Sequence, residues 1–156
     1  LNRLITKLVS KLVSGEGLDI LDKKGRLALP VKGKILNKFG RKKDKQYGSF
    51  IVHNGINIKT RTGTPVRSIF NGKVLYTGEL EGYGNLVIIG HGKDFHSLYG
   101  HLDRIDAKPN QVVQVGDIIG LSGDTGSLVG ETLYLEMREK GKPIEPVLWF
   151  KTAIRR

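Results

Sequence analysis

The chain contains no cysteine, so neither a disulfide nor a thiolate ligand or nucleophile contributes to its chemistry. That absence suits a reducing compartment and equally a periplasmic protein that avoids oxidative cross-linking, so it does not fix the location. No apolar run approaches the roughly 20 residues of a membrane-spanning helix. Acidic side chains are scarce, 15 against 26 Lys and Arg, and the resulting net charge of +11 points to negatively charged partners: nucleic acid, an anionic envelope polymer or an acidic protein surface. Much of the excess lies in "VKGKILNKFGRKKDKQYG", where Lys32, Lys34, Lys38, Arg41, Lys42, Lys43 and Lys45 face only Asp44. Aromatic residues interleaved with the cations would favour nucleic acid, but only Phe39 and Tyr47 flank this run and no helix-turn-helix or RNA-binding pattern occurs. The run reads as a solvated hairpin loop, and nucleic acid is not an expected partner. The first residue is Leu1, no signal-peptide pattern follows, and the chain is expected to be the C-terminal part of a longer protein.

What is present suffices for one domain: 156 residues, 38% of them hydrophobic, can bury a core without a metal or disulfide. Leu1, Leu4, Ile5, Leu8, Val9, Leu12 and Val13 recur at helical spacing with Arg3, Lys7 and Lys11 on other faces, which predicts a short amphipathic helix ended by Ser14-Gly15. Its apolar stripe needs a partner, because so short a helix is marginal alone. "GLDILDKKG" reads as a linker with a possible helical turn, so residues 1–26 form a helix and linker, and residues 27–156 the domain proper. From Leu27 onward, short β-type runs alternate with glycine-marked reversals: "FIVHNGINIKT", "GKVLYTGEL", "GNLVIIGHG", "HSLYGHL", "VVQVGDIIGLSG" and "TLYLEMR". The expected fold class is all-β, built from antiparallel sheet. In "TLYLEMR" strict alternation puts Leu133, Leu135 and Met137 on one side, expected to face the core, and Thr132, Tyr134, Glu136 and Arg138 on the other.

The order of "HNGIN", "HSLYGHL", "VVQVGDIIGLSGDTGS" and "LYLEMREKGKPIEPVLWF" resembles the LytM (lysostaphin-type) metallopeptidase domain of bacterial cell-wall hydrolases, over about Leu27 to Phe150. "EGYGN", "TLYLEMR" and "GKPIEPVLWF" are similar to the EnvC-type murein hydrolase activators within it. The resemblance implies a barrel-sandwich β fold, in which zinc is held by H-x-x-x-D and the second His of a later H-x-H. The first His of that pair, and another closing Y-x-H-L, assist the water and the transition state. On this chain those positions are His53, Asn57, Thr132, Tyr134 and His101. One of three protein ligands, His53, is retained.

Catalytic zinc requires three donors drawn from imidazole, carboxylate or thiolate, with a fourth position for water. Asn57 offers a neutral amide oxygen, Thr132 an alcohol, and Tyr134 a phenol that must first lose a proton of ordinary pKa near 10. The expectation is a pseudo-enzyme with no metal and no cofactor. Tyrosine combines apolar area with one polar handle and is enriched at interfaces, so the emptied cleft reads as a docking surface formed by Asn54, Asn57, Tyr83, Leu86, Tyr99, Tyr134 and Arg138. The resemblance implies a periplasmic amidase as the partner, peptidoglycan as a further one, and a transmembrane division complex reached through an upstream coiled coil. The implied location is the Gram-negative periplasm. Two alternatives stay open: a zinc endopeptidase using His53, His101 and Tyr134, and a basic module for glycan strands or nucleic acid. His101 is expected to hold strands together or to retain a chemical role, His91 to sit in a turn at a strand end, and His96 to lie on the surface.

Overall fold

In the computed structural model, residues 19–151 are described; the amphipathic helix expected over residues 1–13 lies outside them. Eleven strands and two short 3-10 turns make up the fold, with no α-helix among the described residues. In chain order the strands are β1 (Gly40–Lys43), β2 (Phe50–His53), β3 (Ile56–Lys59), β4 (Pro65–Arg67), β5 (Gly72–Leu80), β6 (Gly84–Gly92), β7 (Phe95–Ile105), β8 (Val112–Val113), β9 (Ile118–Ser122), β10 (Thr132–Glu139) and β11 (Lys142–Ile144). The expected all-β, antiparallel architecture is what the chain adopts: β3 to β11 form one nine-stranded sheet, and β1 and β2 pair only with each other.

Strand β10 organises the site because it has neighbours on both edges. One edge carries β7, with Tyr134 opposite Gly100 and Leu135 opposite Tyr99. The other carries β3, with Tyr134 opposite Asn57 and Leu135 opposite Ile56, and then β11. The alternation read from the sequence sets its faces. Leu133, Leu135 and Met137 are fully buried and join Ile56, Ile58, Val87, Ile89, Phe95 and Tyr99 in the core. Outside β10 the core positions named here, Ile56, Ile58, Val87, Ile89, Phe95 and Tyr99, are all β-branched or aromatic, side chains that fit a pleated, half-buried surface.

The 3-10 turn Ile20–Lys23 lies within the segment read as a linker, and it carries Ile20 into the core with no exposed area. The backbone NH groups of Gly25 and Leu27 both donate to the Trp149 carbonyl, tying this segment to the end of the domain.

Candidate functional site

The register Asn57, Tyr134, Gly100 runs straight across β3, β10 and β7 and sets side by side two of the three positions that the resemblance assigns to metal ligands, Asn57 and Tyr134. Two glycines make room for the phenol ring. The Cα of Gly100 faces the Tyr134 ring, where an added Cβ would lie 3.4 Å from Cδ2. At Gly55 a Cβ would strike the Leu135 carbonyl oxygen and come within 2.9 Å of Tyr134 Cζ. Tyr134 is flanked by two further rings, Tyr83 and His101, each with its centroid 5.8 Å away.

Beneath these rings lies Glu136, 1% exposed. Its Oε1 accepts from the Tyr134 hydroxyl at 2.6 Å and from the Tyr83 hydroxyl at 3.0 Å, and its Oε2 accepts from Arg138 Nε at 2.8 Å. A buried carboxylate is costly unless its lone pairs are occupied by strong donors, and here three donors from two elements occupy them. Arg138 also donates from a terminal guanidinium nitrogen to the Gly141 carbonyl at 3.2 Å. Burial, reinforced by the Glu136 carboxylate, raises the pKa of Tyr134 far above that of an ordinary phenol and raises Tyr83 in the same direction. Burial opposes the charge on Arg138, but the carboxylate outweighs it and holds the guanidinium above its usual value.

Asn57 and Thr132 are equally committed. Asn57 Nδ2 donates to Asn37 Oδ1 at 3.1 Å, and the Asn57 backbone NH donates to the same oxygen at 2.7 Å. Asn37 Nδ2 in turn donates to the Gly55 carbonyl at 3.0 Å. The fully buried Thr132 hydroxyl lies 3.2 Å from the Ile58 carbonyl and 3.4 Å from Asn57 Oδ1. Asn37 therefore belongs to the site although nothing in the local sequence marks it: it stands 20 residues upstream of its partner, in a stretch that reads as loop.

His101 adopts a left-handed backbone (φ 60°), and its NH donates to the Tyr83 carbonyl at 2.7 Å. Its Nδ1 lies 2.7 Å from the Thr125 carbonyl, which can only accept, so Nδ1 carries the proton and Nε2 the lone pair. Burial lowers its pKa and favours this neutral form. His53 ends β2, partly buried, in the wall of a groove also lined by Asn37, Phe39 and Glu145.

These contacts do not fit a catalytic zinc. Tyr134 is a donor to a carboxylate and resists ionisation, the amide of Asn57 is held by Asn37, and Thr132 offers a buried alcohol. Among the described residues no three His, Cys, Asp or Glu side chains are grouped so as to hold a metal ion.

Of the residues expected to form a docking surface, Asn54 is exposed, and Asn57, Tyr83, Tyr134 and Arg138 are partly so. Leu86 and Tyr99 are corrections, because both are 0% exposed. Tyr99 is opposite Leu135 across the β7–β10 ladder and shares its core-facing side, where its oxygen accepts from the Ile69 NH at 3.0 Å. Leu86 has no surface left to offer a partner. His91 is a second kind of correction. It lies within β6, 1% exposed, with Nδ1 2.8 Å from the Asn71 carbonyl and Nε2 2.7 Å from Ser97 Oγ, which itself lies 2.8 Å from the Tyr99 hydroxyl. Because the Asn71 carbonyl can only accept, the direction of this chain is set: Tyr99 donates to Ser97, Ser97 to His91 Nε2, and His91 Nδ1 to Asn71. His96, expected on the surface, is partly buried on β7.

Comparison with known proteins agrees with the expected resemblance. The chain is 32% identical over 126 residues to the murein hydrolase activator EnvC of Escherichia coli (strain K12), covering 81% of this chain and 29% of that protein. It is 35% identical over 132 residues to the cell division protein DipM of Caulobacter vibrioides (strain NA1000 / CB15N), covering 80% and 21%. The chain thus spans less than a third of the length of either relative. A zinc containing peptidase from Vibrio cholerae superposes with a TM-score of 0.70 at 33% identity, over 75% of this chain and 37% of that one. Residues 51–146 match Peptidase family M23, a span that takes in the His53 to Asn57 segment, His101 and the whole of β10. On that match the chain belongs to peptidase family M23.

Proposed function

We propose that this chain is a non-catalytic M23 domain that binds and activates a peptidoglycan (N-acetylmuramoyl-L-alanine) amidase in the periplasm of a Gram-negative cell, during division and daughter-cell separation. The observation that carries the reading is the phenol of Tyr134 locked onto Glu136 where the family's ligand pattern calls for histidine. The names of the relatives support it, one a murein hydrolase activator and another a cell division protein. The docking surface is the side of the sheet on which Asn54, Asn57, Tyr83, Tyr134 and Arg138 keep accessible area. Aromatic and Arg side chains on a rigid base are what interface hot spots use, because little conformational entropy is lost on binding. Glu136 supplies that rigidity by fixing the rotamers of Tyr83, Tyr134 and Arg138 together.

The test mixes the purified chain with candidate amidases and dye-labelled sacculi. The expected result is no dye release by the chain alone, stimulated release with one amidase, and stimulation reduced about tenfold or more by Tyr134→Ala or Arg138→Ala. Chelator-sensitive release by the chain alone, with zinc retained through dialysis, would replace this reading with a zinc endopeptidase. Unchanged stimulation by both variants would move the docking surface elsewhere.

A further inference from the structure

The β1–β2 ribbon has an unusual surface. It pairs with no other strand among the described residues, and every side chain from Arg41 to Lys43 and from Phe50 to Val52 is exposed. Four large apolar or aromatic groups stand in water there: Tyr47 in the turn at 75% exposure, Phe50 at 51%, Ile51 at 46% and Val52 at 60%. Such a concentration of exposed apolar area marks an interaction site. Cations surround it. The ladder sets Phe50 opposite Lys43, Ile51 opposite Lys42 and Val52 opposite Arg41. By alternation, one face therefore carries Phe50, Val52, Arg41 and Lys43, and the other carries Ile51 and Lys42. The Arg41 guanidinium lies 3.5 Å from the centroid of the Phe50 ring, a cation–π contact that leaves both groups at the surface. Asp44, the one acid of the ribbon, is occupied in building the turn: its carboxylate accepts from the Gln46 NH at 2.8 Å and its backbone carbonyl from the Gly48 NH at 2.9 Å.

We propose that this ribbon anchors the chain to an anionic lipid surface, with Tyr47, Phe50, Ile51 and Val52 entering the headgroup layer and Arg41, Lys42, Lys43 and Lys45 pairing with lipid phosphates. Two features select this occupant. Apolar groups and cations are distributed over both faces of the ribbon, and a folded protein lying against one face would leave the other in water, whereas a headgroup layer surrounds both. Ile51 and Val52 are aliphatic, so they gain nothing from stacking on sugars or bases but do gain from the boundary of the acyl region. Basic charge and inserted apolar area together are what reversible attachment to a membrane surface requires. The inference stands apart from the amidase reading, since no ribbon residue belongs to the proposed docking surface.

The experiment is co-sedimentation of the full chain with vesicles of phosphatidylcholine alone or mixed with phosphatidylglycerol, with purified sacculi run in parallel. Binding is expected only to the vesicles containing phosphatidylglycerol. The charge variant Lys42→Glu/Lys43→Glu should lower it at least about 30-fold, and the apolar variant Phe50→Ser/Ile51→Ser about tenfold or more. These positions are exposed, and unchanged thermal unfolding checks that both variants fold. In Phe50→Trp, lipids brominated on the acyl chain should quench the new indole, whereas the buried Trp149 of the parent chain should be unaffected. Equal binding by the apolar variant would reduce the ribbon to a counter-ion patch and overturn the proposal. So would equal binding to phosphatidylcholine alone, absent quenching, or binding to sacculi without binding to vesicles.

Discussion

The surroundings of β10 and the ribbon invert the usual distribution of side chains in opposite ways. Around β10, polar groups are buried: Glu136, Thr132 and His101 have at most 7% exposure, and each has a hydrogen-bond partner. On β1 and β2, apolar groups are exposed while no described neighbour covers them. A buried polar group is stable only when satisfied, so the surroundings of β10 must be rigid. Exposed apolar groups cost the folded state little, so the ribbon can change without disturbing the body. Structure in the first region is bought by partners within the chain, while the second awaits a partner outside it.

The comparison breaks most sharply with pH. His91 is part of the satisfied interior, and burial, with a smaller push from His96, lowers its pKa to about 4, against an ordinary value of 6.5. Above pH 6.5 it is neutral in both folded and unfolded chains. As the pH falls from 6.5 toward 4 the unfolded chain takes up a proton that the folded one refuses, and stability decreases by about 3 kcal/mol before levelling. Urea midpoints between pH 6.5 and 5, above the range where most carboxylates titrate, should already show roughly 2 kcal/mol of this loss. A flat profile there would mean that His91 is not sealed from water.

A somewhat smaller effect is expected at Glu136. Glu136→Ala removes the common acceptor of two phenols and a guanidinium and should destabilise by about 2–3 kcal/mol, less than for a sealed ion pair because Arg138 keeps 28% of its side-chain area in water. Glu136→Gln keeps the shape and one acceptor and should recover part of the loss in chemical denaturation. Smallest of all, Phe50→Ser/Ile51→Ser should shift folding stability by no more than about 0.5 kcal/mol, since both residues are about half exposed. A larger change would show that the ribbon is coupled to the core and erase the contrast.

Much of this was legible from residue order. Two-residue alternation placed Leu133, Leu135 and Met137 inward, because only one face of β10 could meet the core. The gathering of Asn57, Thr132, Tyr134 and His101 followed from the family resemblance and is realised through the β3–β10–β7 register. Burial of individual side chains was less accessible. Alternation relates a residue to its own strand, whereas the inward orientation of Tyr99 depends on which residue of β10 it meets, and that is set by pairing between distant segments. His91 looked like a turn histidine because glycines flank it; its burial arises from Asn71 and Ser97, on other parts of the chain. Asn37 carried no signal at all, since its partner Asn57 is selected by tertiary approach.

The knot of hydrogen bonds at Glu136 also constrains how this sequence can drift. Histidine introduced at position 134 would withdraw the shortest of the three donors from a carboxylate with almost no access to water, while the amide at 57 and the alcohol at 132 still offered no ion a home. Any replacement at 134 that cannot reach Glu136 with a donor thus lowers stability whatever else it brings, so the identity of this residue is held in place by its neighbours.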